Sequence, residues 1–450
     1  MGAVSARVSV VELSPLKAAW LLWRPDRSAP VLTVICKATF GLAPGVAVLS
    51  SAQDDVNQRD LHTENNPRLG LYSASDMVPY KPRADVTVVG KAFAAPGELA
   101  RSVIARVKVG SVDKRVEVHA ERYLNRHGQL RANAFFSKMP IGYERAPGGL
   151  DTPNPVGMTL DGPSDEKGRI ALPNLQIPGE AINGRGSKLT PVGLGPIPAS
   201  WPWRRNLQRS EAPWNGSHWL EPPLPSDWNY GFFNVAPPDQ QLEEIRADEA
   251  MRLEHLHPNE AQLDTRLPGI RPIVFVERAR GAQALAMRAD TLWIDTNRLV
   301  QTVTWRGQVS LEQPNEKLRV LVAATEAGGA EPSWDQVWLL ADKKKRSVEP
   351  PPSSDQSHVK TRVDSGKGRV RQPSSQRLTS PVPLVPSNDH SPDWLPPPSM
   401  RGVQQRTTVE LPMTAEELTM LEQLAAEQAL SPADVVRHLV RQAHARRGKS

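Results

Sequence analysis

Val31-Leu-Thr-Val-Ile-Cys-Lys-Ala-Thr-Phe40 decides the fold class: a run dense in β-branched side chains, halted by Gly41. Branching at Cβ suits a pleated surface and crowds a helical turn, so the run reads as a β-strand. Working outward, Asp85-Val-Thr-Val-Val-Gly90 has the same character. Val103-Ile-Ala-Arg-Val-Lys-Val109 and Arg115-Val-Glu-Val-His119 alternate apolar and polar residues, and Gly110-Ser111 between them predicts a hairpin. β character returns at residues 272–277, 284–288, 291–295, 300–305 and 318–323, and one short helix is expected at 335–340. The expected class is mainly β, with hairpins arranged as a sandwich or barrel.

Residues 140–240 interrupt this pattern. Prolines and glycines crowd together with Trp201, Trp203, Trp214, Trp219 and Trp228, and no strand or helix period is visible. Structureless loops of that length are uncommon inside domains. The expectation is an irregular, ordered segment pinned to the β core by its aromatics. Trp203, Arg204 and Arg205 are the candidate partner-binding residues, because Trp and Arg are favoured interface anchors.

A chain of 450 residues exceeds one ordinary core, and its 43 prolines exceed the usual share. The single cysteine, Cys36, excludes an intramolecular disulfide and fits a reducing cytoplasm. The apolar stretch at residues 18–23 is too short for a signal h-region or a membrane span. The net charge of +6 is concentrated: residues 342–405 hold eleven Lys/Arg against six Asp/Glu, opened by Lys343-Lys-Lys-Arg346. That stretch, rich in Pro and Ser, reads as a disordered linker and tether. The organisation expected is a β-rich domain over 1–341, the linker over 342–405, and a small module over 406–450.

In the last stretch, Arg406-Thr-Thr-Val-Glu-Leu-Pro412 reads as a short strand. Thr414-Ala-Glu-Glu417 is a capping box opening a helix, and Ser431-Pro-Ala-Asp434 opens a second with Ser431 as N-cap. A unit this small builds a core poorly alone. Val409, Leu411, Leu418, Leu421, Val436 and Leu439 are the candidate core of a homodimer.

Catalytic chemistry finds little support. Neither a phosphate-binding loop nor a nucleophile elbow is present. Cys36 sits in the apolar strand and reads as a buried small hydrophobe. His255 and His257 would share a face on a strand but lack further ligands at metal spacing. Asp76 with Lys81 and Arg83, and Asp290 with Arg306, read as ion pairs. Asn154, Asn174 and Asn234 read as caps for loop backbone. No cofactor or metal is expected.

A longer series of motifs runs through residues 30–320: Lys37-Ala-Thr-Phe40, Tyr72-Ser-Ala-Ser-Asp76, Tyr80-Lys-Pro-Arg-Ala-Asp-Val86, Phe136-Ser-Lys-Met-Pro140, Gly193-Leu-Gly-Pro-Ile-Pro198, Phe232-Phe-Asn-Val-Ala-Pro-Pro-Asp-Gln-Gln241 and Asp290-Thr-Leu-Trp-Ile-Asp295. In this order they resemble the bacterial domain-of-unknown-function family often encoded beside type VI secretion genes, whose members are regarded as effector adaptors. That resemblance implies a non-enzymatic, cytoplasmic adaptor or chaperone, with a secreted effector and spike-tip proteins as partners. Residues 406–450 resemble a ribbon-helix-helix module, which implies pairing of two chains through their strands. Such a module can bind DNA, with Arg406 and Ser431 as candidate phosphate contacts. The outward residues Thr408, Glu410 and Pro412 suit base edges and phosphates poorly, so dimerisation or docking ranks ahead of DNA binding. The alternative reading is a transcription regulator acting through this module.

Overall fold

The β-branched opening run forms the strand Val31–Gly41, buried on both faces. A computed structural model describes residues 4, 6–26, 28–208, 219–220, 223–325 and 329–348. All of them lie in the first of the two units into which the chain divides, Met1–Ser380 and Pro381–Ser450.

Val31–Gly41 pairs antiparallel with Lys17–Trp23 on one side and Val300–Ser310 on the other. The sheet continues through Arg288–Asp295 and Ala84–Val89 to the short edge Gln241–Leu242, making six strands. A second six-stranded sheet runs Leu175–Gln176, Val112–His119, Ser102–Val109, Ala250–Glu254, Gln262–Arg266, Gly45–Val46. A third, four-stranded sheet runs Arg7–Glu12, Lys317–Ala324, Pro272–Arg278, Gly281–Leu285. Among the described residues the fold is mainly β, and none of the sheets closes into a barrel. Apolar faces of all three larger sheets meet in one core that includes Val34, Val86, Leu253, Leu292, Val303 and Val320.

The expected hairpin is present: Val109 pairs with Val112 across Gly110-Ser111. Gly110 has φ +51, which glycine adopts without a Cβ penalty. Two expectations are corrected. The run at 284–288 is not one strand, because Gly281–Leu285 ends in one sheet and Arg288–Asp295 begins in another. The short helix at 335–340 is instead Trp334–Val348, so the basic run at Lys343 continues a helix. No proline interrupts that helix before Pro350. Its Val337 and Ala341 are buried against Leu321 and Ala323 of the four-stranded sheet.

The first sheet has an unusual second face. Register places Lys37 opposite Thr304, Thr304 opposite Thr291, and Thr291 opposite Asp85. Successive strand residues alternate faces, so these four form one polar row. Thr39, Thr302, Trp293 and Thr87 form the next. The opposite row, Ala38, Val303, Leu292 and Val86, faces the apolar core. The polar rows are buried as well, because irregular chain covers them.

Candidate partner-binding surface

Irregular chain carries backbone N–H and C=O groups that a sheet ladder does not satisfy, and burial makes their satisfaction obligatory. The polar face supplies the partners. Lys37 Nζ donates to Asp76 Oδ2 at 2.9 Å, and the same oxygen accepts the Asn57 N–H at 2.8 Å. Arg306 donates to Asp290 and to the carbonyls of Asp76 (2.6 Å) and Val78 (3.2 Å). Lys81 Nζ lies 2.8 Å from both Asp85 Oδ2 and Thr291 Oγ1. Asp85 also accepts from Asn234 Nδ2 (2.9 Å) and from the N–H groups of Val235 (3.0 Å) and Ala236 (3.1 Å).

These carboxylates are therefore anchors for covering loops. Burial by itself pushes the Asp76 carboxyl up, but Lys37, Arg306 and the Asn57 N–H outweigh it and hold it below the usual carboxylate range. Asp290 pairs with Arg306 as the sequence suggests. Asp76 pairs with Lys37, not with Lys81 or Arg83; Lys81 turns instead to Asp85, four residues on. The asparagines cap loop backbone as expected. Asn154 Nδ2 donates to the Tyr143 and Pro147 carbonyls, Asn174 Nδ2 to His119, and Asn234 Nδ2 to Arg83. Cys36 is fully buried, and desolvation raises its thiol pKa far above the ordinary value. His255 and His257 do not share a strand face: Ala250–Glu254 ends before them, and His255 has φ +56. Among the described residues no group of three or more His, Cys, Asp or Glu is placed to hold a metal.

The Pro/Trp-rich segment packs inward. Leu224, Trp228, Phe232 and Phe233 form a buried cluster with Trp23, and Trp201 packs with Tyr143 and Ile197. Of the three candidate interface residues, Arg204 is a correction. It is 5 % exposed, and its guanidinium donates to the Ile197 carbonyl (2.7 Å) and the Phe232 carbonyl (2.8 Å). Burial pushes its pKa down to about 10. It ties two loops together and presents nothing to a partner. Trp203 is half-buried against the Tyr143–Trp201 cluster, while Arg205 is exposed. Val409, Leu411, Leu418, Leu421, Val436, Leu439, Arg406 and Ser431 lie outside the described residues.

The surface best suited to another chain is an edge that sequence reading blurred. Unpaired edges are templates for a further strand, and natural sheets guard them with charge, proline, shortness or cover. Three edges of the larger sheets, Gln241–Leu242, Leu175–Gln176 and Gly45–Val46, are two residues long. At Lys17–Trp23 only Trp20 is exposed, and Glu12 Oε1 accepts the Ala18 N–H at 2.8 Å. Arg7–Glu12 carries charge at both ends, and Lys344 donates to the Glu12 carbonyl. Gly281–Leu285 has none of these guards. Gly281, Ala282, Gln283 and Ala284 are all exposed, uncharged and free of proline, and among the described residues the strand pairs on one side only, with Pro272–Arg278.

With this geometry in place, the comparison with protein families gives one match. The family described as "Uncharacterized protein conserved in bacteria (DUF2169)" matches residues 27–306. The chain belongs to the DUF2169 family. Its span in this DUF2169 protein holds the polar face, with Lys37, Asp76, Lys81, Asp85, Asp290 and Arg306, and the open edge Gly281–Leu285; the helix Trp334–Val348 lies beyond it. No curated protein and no solved structure matched the chain. No helix among the described residues is long and apolar enough to cross a membrane.

Proposed function

We propose that this DUF2169 protein is a non-enzymatic adaptor: it binds a type VI secretion effector in the cytoplasm and promotes its loading onto the secretion spike. The supporting observation is the unguarded edge Gly281–Leu285, where the other edges of the three larger sheets are guarded. An extended segment of the effector adds a strand there, gaining backbone hydrogen bonds without sequence demands on most of its side chains. The buried carboxylates of Asp76, Asp85 and Asp290 favour this reading over hydrolysis, since each is spent on loop backbone or a buried cation. The C-terminal stretch, which resembles a ribbon-helix-helix module, would add a second site of pairing or docking and raise effective concentration.

The test is native co-purification of full-length protein and of an Ala282→Lys/Ala284→Lys variant from a bacterium carrying its secretion genes, with the captured proteins identified by mass spectrometry. Two charges on the edge cost an added strand about two hydrogen bonds of about 1 kcal/mol each, roughly a tenfold or greater loss of capture. A secreted toxin or spike component that falls away in the variant supports the proposal. Equal capture by both chains removes the edge from the account. Recovery of DNA alone favours the regulator reading and overturns the adaptor.

A further inference from the structure

The helix Trp334–Val348 docks one face on the four-stranded sheet, through Trp334, Val337 and Ala341. At 100° per residue the opposite face is centred on Leu339. Leu339 is 53 % exposed, and its neighbours Trp338 and Leu340 are 41 % and 46 % exposed. Three consecutive large apolar residues in water on an ordered helix are unusual for a free surface.

Two of the charges on this stripe, which also carries Asp342, stand symmetrically about Leu339. Asp335 stands four residues before Leu339 and Lys343 four residues after it, so both lie on the outward stripe. Both are exposed, and neither has an ionic partner among the described residues. They cannot pair with each other, because eight residues of helix separate them by about 12 Å. Read backwards about Leu339, acid–apolar–base becomes base–apolar–acid. The stripe is thus complementary to itself in antiparallel orientation, which is the condition for an isologous twofold contact. A parallel copy would set like charges together.

We propose that this helix pairs antiparallel with the same helix of a second copy of the chain, about a twofold axis at Leu339. Leu339 meets Leu339 at the axis, Trp338 and Leu340 lie 100° round the helix at the two sides of the contact, and Asp335 of each copy faces Lys343 of the other. A contact one helix wide falls short of the ~800 Å² per partner of a stable interface. The pairing is therefore weak and concentration-dependent. It does not rest on the adaptor reading, since it uses a different element and a different occupant.

The test uses full-length protein carrying Leu339→Cys, with Leu150→Cys, at an 87 % exposed position, as the control. The native Cys36 is buried and does not compete. Under mild oxidation Leu339→Cys is expected to form an interchain disulfide at least about tenfold faster than the control, as a residue on the axis meets its own copy. In that background, Asp335→Lys or Lys343→Glu turns two attractions into two repulsions and slows the reaction about three- to tenfold. The two changes together recreate the pairs with sign reversed and restore the rate to within about twofold. Cross-linking no faster than the control overturns the proposal, as does indifference to the single charge changes or failure of the pair to restore the rate.

Discussion

Asp85→Ala is the perturbation that most sharply probes what holds the irregular cover on the sheet. The carboxylate is fully buried and accepts from Lys81, Asn234 and the N–H groups of Val235 and Ala236. Its removal leaves the Lys81 ammonium, 2 % exposed, with Thr291 Oγ1 as its remaining side-chain acceptor. Breaking one partner of a buried pair costs about 3–5 kcal/mol. The two stranded N–H groups add about 1–3 kcal/mol each where they stay buried, so the loss approaches the whole stability of a domain, about 5–15 kcal/mol. Lys81→Met is predicted to cost less, about 2–3 kcal/mol, because the carboxylate it strands keeps three donors. Asp85→Asn should fall between the two, keeping shape and one acceptor. Urea unfolding of the full-length variants, followed by tryptophan fluorescence, measures all three. A Lys81→Met variant less stable than Asp85→Ala, or an Asp85→Asn variant within about 0.5 kcal/mol of the parent, would refute the anchoring role.

Other consequences follow from the same interior. Burial, with Arg122 nearby, lowers the His119 pKa to about 4 from its ordinary 6.5. The unfolded chain then binds the proton more readily, so stability is intact above about pH 6.5 and declines as pH falls toward about 4. His119→Gln should flatten urea midpoints across that window. Asp76 acts lower: its folded pKa is depressed, so its contribution is present above the ordinary carboxylate range and lost as pH falls through the depressed value, and Asp76→Asn should remove the lowest-pH part of the acid transition. Arg204→Met strands two buried carbonyls and should cost about 2–3 kcal/mol; Arg204→Lys should recover part of it, since an ammonium lacks the guanidinium's fork. Cys36 should resist thiol reagents in the native protein and react at the unfolding rate.

Much of the sheet framework is legible in the sequence where β-branched residues are dense, as at Val31–Gly41 and Ala84–Val89. Alternation alone also located Ser102–Val109 and Val112–His119, because one face of that hairpin is solvated. Ala250–Glu254 and Gln262–Arg266 were harder. Their outward positions carry Arg252, Asp264 and Arg266, and their inward ones only Met251, Leu253, Leu263 and Thr265. The buried polar face was not legible as such. Lys37 and Thr39 alternate with apolar residues as they would on a strand facing water, and sequence does not show what covers them. Lys37 finds Asp76 from 39 residues away, a pairing no local spacing reveals, whereas Asp290 and Arg306 lie on neighbouring strands of one antiparallel pair. Arg204 looked like an interface anchor because Trp and Arg mark interfaces and loop cores alike; only the two carbonyls it holds distinguish the cases. The open edge was hidden because Gly281-Ala-Gln-Ala-Leu285 has weak β propensity, and its neighbour Arg288–Asp295 drew the strand boundary toward itself.

The most direct measurement of the central claim is backbone hydrogen exchange on the protein alone and on its complex with whatever protein it captures. Strand addition predicts slower exchange across Gly281–Leu285 on binding, in the partner segment as well as in this chain, with the two-residue edges Gln241–Leu242 and Leu175–Gln176 unchanged. Unchanged exchange at Gly281–Leu285 in a complex that protects another surface would contradict it.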